Sequence, residues 1–192
     1  MGKEFEIKFA ATPAQLAELE AAFGPLTPIS METTYYDAAD GSLSARHITL
    51  RRRLENGNAV CTVKTPLGGL GRGEWETCCE DITAAIPVLC KLGCAEDLIS
   101  LTACGIVPVC GARFTRLAAS LTAENCTLEL ALDRGVLLGG GREMPLCEVE
   151  VELKEGSEEG ALAFARHLAE TYDLRSEKKS KFRRALDLAK EQ

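Results

Sequence analysis

Lys3-Glu4-Phe5-Glu6-Ile7-Lys8-Phe9-Ala10 alternates charged and apolar side chains with a period of two. Side chains of a strand point alternately to its two faces, so Glu4, Glu6 and Lys8 share one face while Phe5, Ile7 and Phe9 share the other. The pattern repeats along the chain. Arg51 falls with Arg53, Thr62 with Lys64, Arg72 with Glu74 and Glu76, Glu129 with Ala131 and Asp133, and Glu148 with Glu150 and Glu152. Leu or Val occupies the alternate positions late in the chain. Segments around 32–37, 47–55, 59–65, 72–79, 113–121, 126–133 and 147–154 read as strands, with turns such as Asn56-Gly57 between them. With the first strand they number eight, enough to close into a barrel that holds side chains or one small ligand.

Helices are expected around this sheet. Thr12 caps a helix that begins at Pro13 and stops at Gly24-Pro25, and Leu16, Leu19, Ala22 and Phe23 form its apolar stripe. Residues 83–105 read as an insert of two short helices, with Thr83 as a cap, Gly93 and Gly105 as stops, and Pro87 blurring their limits. Ser157 caps a helix to about Asp173, and a shorter helix spans 181–190. Gly68-Gly69-Leu70-Gly71 and Gly139-Gly140-Gly141 are expected hairpin tips. The fold class is therefore α+β, a closed eight-stranded antiparallel barrel with helices on its outside.

Two arrangements satisfy this pattern. The charged faces could be solvated around a greasy interior, or they could line the interior while helices cover the apolar faces. The residue mixture favours the second. Carboxylates paired at i,i+2 are ligands that Mg²⁺ and Mn²⁺ prefer, and Arg forks match phosphate oxygens. One cavity holding both suits a metal–polyphosphate complex.

Bulk properties narrow the classes. The chain has 192 residues, 46% hydrophobic and 27% charged, within the range of one globular domain. A net charge of −7 opposes binding to nucleic acid or an anionic membrane surface. Nine cysteines, an odd number without paired CxxC knuckles, are expected to be reduced and not to hold structural zinc. Residues 1–10 contain no apolar signal-like run, and no apolar stretch approaches the roughly 20 residues needed to span a bilayer. A cytoplasmic location is expected. A homodimer is left open, with no patch to assign it to. Trp75 reads as barrel–helix packing, His47 and His167 as structural or exposed, and only one of Tyr35 and Tyr36 can face inward.

The chain resembles the CYTH superfamily, the triphosphate tunnel metalloenzymes. Glu4-x-Glu6-x-Lys8 is similar to its ExExK signature, followed in order by Tyr35-Tyr36-Asp37, Leu50-Arg51-Arg52-Arg53, Thr62-Val63-Lys64, Arg72-Gly73-Glu74-Trp75-Glu76 and Phe114-Thr115-Arg116. Leu128 to Gly135 and Pro145 to Leu153 are similar to bacterial inorganic triphosphatases of that family, and Ser180-Lys181 with Arg184 resembles their terminal basic motif. Ala185 stands where relatives often carry Gly. The resemblance implies one CYTH domain over 1–192, without the helical CHAD domain that often follows.

It further implies metal-dependent hydrolysis of tripolyphosphate to pyrophosphate and phosphate, with Mg²⁺ or Mn²⁺ as cofactor. Glu4, Glu6, Glu148, Glu150 and Glu152 would hold metal. Lys8, Arg51, Arg53, Lys64, Arg72, Arg116, Lys181 and Arg184 would hold phosphate. Glu74, Glu76 or Asp133 would orient or deprotonate the attacking water. The alternatives are another CYTH activity, such as adenylate cyclase or thiamine or nucleoside triphosphatase, and a non-catalytic polyphosphate-binding module.

Overall fold

The computed structural model describes residues 2–3, 5–66, 72–94, 97–123 and 125–190. Glu4 and the tip at Gly68–Gly71 lie outside them, as does the side chain of Arg72. The strands are β1 (Gly2–Lys3), β2 (Glu6–Ala10), β3 (Thr27–Ala38), β4 (Thr49–Glu55), β5 (Asn58–Pro66), β6 (Arg72–Cys78), β7 (Ile106–Ala123), β8 (Cys126–Gly139), β9 (Arg142–Gly156) and β10 (Arg175–Ser176). The helices are α1 (Pro13–Phe23), α2 (Ser42–Ala45), α3 (Ile82–Lys91), α4 (Leu98–Leu101), α5 (Glu158–Thr171) and α6 (Lys181–Lys190).

All ladders are antiparallel, in the order β1-β6-β5-β4-β3-β7-β8-β9-β2-β10. The eight expected strands correspond to β2 through β9, and β1 and β10 add two-residue ladders. Among the described residues the hydrogen-bonded order is linear, so the ladders by themselves do not close the expected eight-membered ring. The linear order originates in the N-terminal segment, which divides its pairing between Gly2↔Glu74 and Lys3↔Gly73 on β6 and Glu6↔Glu152 through Ala10↔Glu148 on β9. Those two partners lie on opposite sides of the sheet order. Three residues span at most ~10 Å, so Lys3 and Glu6 bring the two sides close together.

The apolar faces point away from the charged interior. Phe9, Leu128, Leu130, Leu132, Val149 and Val151 pack under Leu16 and Leu19 of α1 and Ala161, Ala165 and Leu168 of α5. Leu50, Cys61, Val63 and Trp75 pack under Ile82, Ile86 and Leu89 of α3 and Leu98 of α4. The greasy-interior arrangement is thereby excluded. Fully burying each of Leu16 and Leu19 contributes roughly 1.5–3 kcal/mol, which is what fixes α1 to the sheet.

Local signals set the helix ends. Thr12 Oγ1 accepts from Gln15 N at 3.2 Å while Gln15 Oε1 accepts from Thr12 N at 2.8 Å, a capping box with Pro13 at the first helical position. Ser157 Oγ likewise accepts from Glu159 N and Gly160 N. In α3 the cap is Asp81 in place of the expected Thr83, because its carboxylate accepts from Thr83 N at 2.7 Å and from Ala84 N. Pro87 sits inside α3 without ending it. Helix α6 lies directly on the β8–β9 tip. A Cβ at Gly139 would stand 2.3 Å from Ala185 O and 2.8 Å from Ala189 N, so only glycine permits this approach.

Candidate functional site

A cavity of about 490 Å³ opens on the inner face of the sheet and receives side chains from every strand from β2 to β9 and from the start of α6. That volume suits one small ligand. Seven of its described lining residues are basic and seven acidic, and acids and bases are paired on both sides of it.

On one side, β4 and β5 supply three of the bases, Arg51, Arg53 and Lys64. Arg51 and Arg53 share a face, and Lys64 stands opposite Thr49 one row along. Arg51 lies 3.5 Å from Glu74 and 3.7 Å from Glu76, and Lys64 lies 3.3 Å from Glu74. Arg53 pairs with Glu55, yet its Nε is buried with no hydrogen-bond partner. Burial, and then the like charge of Arg51, lowers the Arg53 pKa, so an anion beside this pair would relieve both penalties. Glu76 accepts from Thr62 Oγ1 at 2.9 Å. Burial works to raise its carboxyl pKa, but the Thr62 bond and the charges of Arg51 and Arg53 outweigh burial and lower it.

On the other side, β2, β9 and β8 supply four of the acids, Glu6, Glu129, Glu150 and Glu152, together with Lys8 and Lys154. Glu6 is paired across strands with Glu152, and Glu152 with Glu129, so three carboxylates form one row along which all three line the cavity. Directly opposed positions bring Cβ atoms within about 5 Å. Lys8 lies 3.4 Å from Glu6. Glu129 was absent from the sequence-derived metal set. Its parity with Ala131 and Asp133 was legible, but its alignment with Glu152 and Glu6 depends on the register of β8 on β9.

Below the cavity lies a second acidic group, Asp133, Glu148 and Glu150, whose oxygens lie within 4.8 Å of one another, a spacing that could hold a metal ion. Here an ammonium holds that position. Lys181 Nζ is 2.7 Å from Asp133 Oδ2 and 2.6 Å from Glu150 Oε1, and it also pairs with Glu148. An ammonium has three donors, and all three are engaged by these carboxylates. Arg116 forks onto Asp133 through two 2.8 Å bonds and reaches Glu150, while Arg184 binds Glu148. Burial raises the Glu148 pKa to about 7, whereas Lys181 and Arg116 overcome burial to hold Glu150 well below the usual carboxylate range.

The sequence-derived residues therefore divide into two groups. Glu6, Glu150, Glu152, Lys8, Arg51, Arg53, Lys64, Glu74, Glu76, Arg116 and Lys181 line the cavity. Asp133, Glu148 and Arg184 do not line it and belong to the buried ion cluster, which also takes the charged ends of Arg116 and Lys181. Tyr35 faces the cavity and Tyr36 packs outside, as parity required. Trp75 is buried under α3, and the nine cysteines form no disulfide among the described residues. Among the described residues, no helix is long and apolar enough to cross a membrane.

A CYTH domain model matches residues 2–186. The chain belongs to the CYTH family. Among curated proteins, an inorganic triphosphatase of Haemophilus influenzae is 27% identical over 201 residues, covering 100% of this CYTH chain and 56% of that protein. The chain thus spans little more than half of that relative's length. A putative adenylate cyclase of Bacillus halodurans superposes with a TM-score of 0.65 at 18% identity, covering 96% of this chain and 98% of the other. A putative adenylyl cyclase of Hippeastrum, described as having a dominant triphosphatase activity, gives 0.65 at 17% identity over 100% and 98%. At those identities the structures show that the CYTH fold is shared.

Proposed function

We propose that this CYTH protein hydrolyses inorganic triphosphate with the help of Mg²⁺ or Mn²⁺, inside a tunnel that the N-terminal segment closes. The observation that carries the reading is one cavity that gathers guanidinium and ammonium groups of β4 and β5 together with a carboxylate row of β2, β9 and β8.

Charge balance explains why both sets of groups are needed. With equal numbers of acids and bases, the cavity by itself cannot offset the several negative charges of a triphosphate. Desolvating such an anion is prohibitive unless added positive charge replaces the lost water. The Glu6–Glu152–Glu129 row offers only oxygen donors, which fits a hard divalent cation, and Glu4 and Glu150 adjoin it in sequence or register. The buried Asp133–Glu148–Glu150 group fits less well, because Lys181 already supplies its positive charge. A divalent ion on the row would neutralise phosphate oxygens and polarise the terminal phosphorus.

The chain's own residues supply the rest. Arg51, Arg53, Lys64 and Lys8 bind and align the phosphate oxygens, and the Arg53 Nε gains the acceptor it lacks. Glu76, held ionised by Thr62 and the arginines, orients a water with Glu74 for in-line attack on the terminal phosphorus. The bridging P–O bond breaks, pyrophosphate leaves with the electron pair, and the proton shed by the water passes through Glu74 or Glu76 to the departing oxygen or to solvent. Asp133 serves indirectly, by fixing Arg116 and Lys181.

Inorganic triphosphate is favoured over a nucleoside or thiamine ester because, among the described residues lining the cavity, only Phe182 presents a partly exposed aromatic ring. Tyr35 and Phe114 are buried, and Phe182 rests on Tyr35 with ring centroids 5.1 Å apart. The test is phosphate release from tripolyphosphate, ATP and thiamine triphosphate, each with Mg²⁺ and with Mn²⁺. Preferential release from tripolyphosphate supports the reading. Cyclic AMP from ATP with tripolyphosphate left intact would replace it, and binding of tripolyphosphate without turnover would make the protein a polyphosphate-binding module.

A further inference from the structure

We propose that Lys154 is a tethered stand-in cation, which occupies the Glu152–Glu129 end of the carboxylate row when no divalent ion is bound and competes with that ion for it. The inference rests on the reading of the row given above and adds the residue that sets its affinity.

Lys154 follows Glu152 by two positions on β9, so both project into the cavity. Its Nζ lies 2.8 Å from Glu152 Oε2 and 3.7 Å from Glu129 Oε1, spanning the two strands. The same sheet thus holds two lysine-occupied carboxylate groups, and their settings differ. The Lys181 side chain is 9% exposed and contacts three carboxylates, of which Asp133 and Glu148 are fully buried. Removing one partner from such a group leaves uncompensated buried charge, so Lys181 is fixed. The Lys154 side chain is 42% exposed. The other described cations lining the cavity are 9–19% exposed, which makes Lys154 the one whose ammonium can return to water most cheaply.

A half-exposed pair of this kind is weak and is readily exchanged. A divalent ion brings twice the charge and can engage all three carboxylates, so it displaces the ammonium. Exchange still lowers the apparent affinity, because the Lys154 pairing must be given up and its charge remains on a short tether beside the ion. Net affinity for the cation is thus tuned by a residue that is not itself a ligand.

The experiment is a Mn²⁺ titration followed by electron paramagnetic resonance, on the full chain without phosphate substrate. Lys154→Met keeps the aliphatic stem and removes the charge, and it should bind Mn²⁺ about fivefold more tightly than wild type. Lys154→Arg retains the charge and should bind like wild type. Glu152→Gln locates the ion and should weaken binding. If Lys154→Met binds Mn²⁺ no more tightly while Glu152→Gln binds more weakly, the competition is overturned and the carboxylate row stands. If Glu152→Gln leaves Mn²⁺ binding unchanged, or wild type binds none, the reading of the row fails and takes the competition with it.

Discussion

Lys181→Met probes the buried ion cluster at the edge of the cavity. The substitution keeps most of the side-chain volume but withdraws an ammonium from Asp133 at 2.7 Å, Glu150 at 2.6 Å and Glu148. Asp133 and Glu148 are fully buried, so water cannot replace the lost partner. Arg116 and Arg184 remain, leaving three carboxylates on two guanidinium groups. Breaking a buried pair by removing one member costs about 3–5 kcal/mol. For a chain of this size that corresponds to a fall of roughly 10 °C in Tm. The assay is urea unfolding at pH 8, above the Glu148 pKa of about 7, with Lys179→Met as the control. Lys179 pairs with Asp187 at 2.9 Å, but its side chain is 60% exposed, so its loss should cost no more than about 0.5–1 kcal/mol. A Lys181→Met cost as small as that of Lys179→Met would refute the claim that the ammonium is an obligatory part of the cluster.

Other perturbations probe the remaining parts. Arg53→Ala should lower kcat/KM for tripolyphosphate by about ten- to a hundredfold, because bonds to charged groups contribute roughly 1.5–3 kcal/mol each, and steady-state kinetics would show it chiefly in KM. Glu152→Gln should lower kcat by about a hundredfold or more through loss of bound cation, and Glu6→Gln should behave alike. Glu148 has a folded pKa of about 7 against an ordinary 4.5, so its favourable contribution is present below pH 4.5 and is lost as pH rises through 7. Unfolding measured from pH 5 to 8 should therefore show Glu148→Gln becoming steadily less destabilised relative to wild type. Gly139→Ala forces a Cβ to within 2.3 Å of Ala185 O, and it should cost about 1–3 kcal/mol or more and displace α6, read by thermal melting and by protease sensitivity of the C-terminal segment.

Much of this arrangement was legible because local rules acted alone. Period-two alternation in Phe5–Ala10, Leu128–Asp133 and Glu148–Leu153 set which side chains share a face, and capping at Thr12 and Ser157 set two helix starts. Other features escaped because they depend on distant partners. Strand β7 begins at Ile106, well before the expected 113, since ladder pairing with β3 carries it through Pro108 and Gly111. The division of the N-terminal segment between β6 and β9 has no local signature. The resemblance of Lys181 and Arg184 to a terminal basic motif was legible, but that α6 docked on Gly139 also brings both onto buried carboxylates has no local signature. Glu129 and Lys154 lie 25 residues apart, and they meet at Glu152 through the pairing of β8 with β9.

The most direct test of the central claim is a crystal structure of the protein soaked with tripolyphosphate and Mn²⁺, located by anomalous scattering. The phosphate chain should lie inside the cavity against Arg51, Arg53 and Lys64, with Mn²⁺ between it and Glu6, Glu129 and Glu152. Phosphate bound on the outer surface, or Mn²⁺ away from these carboxylates while the cavity holds only water, would contradict it.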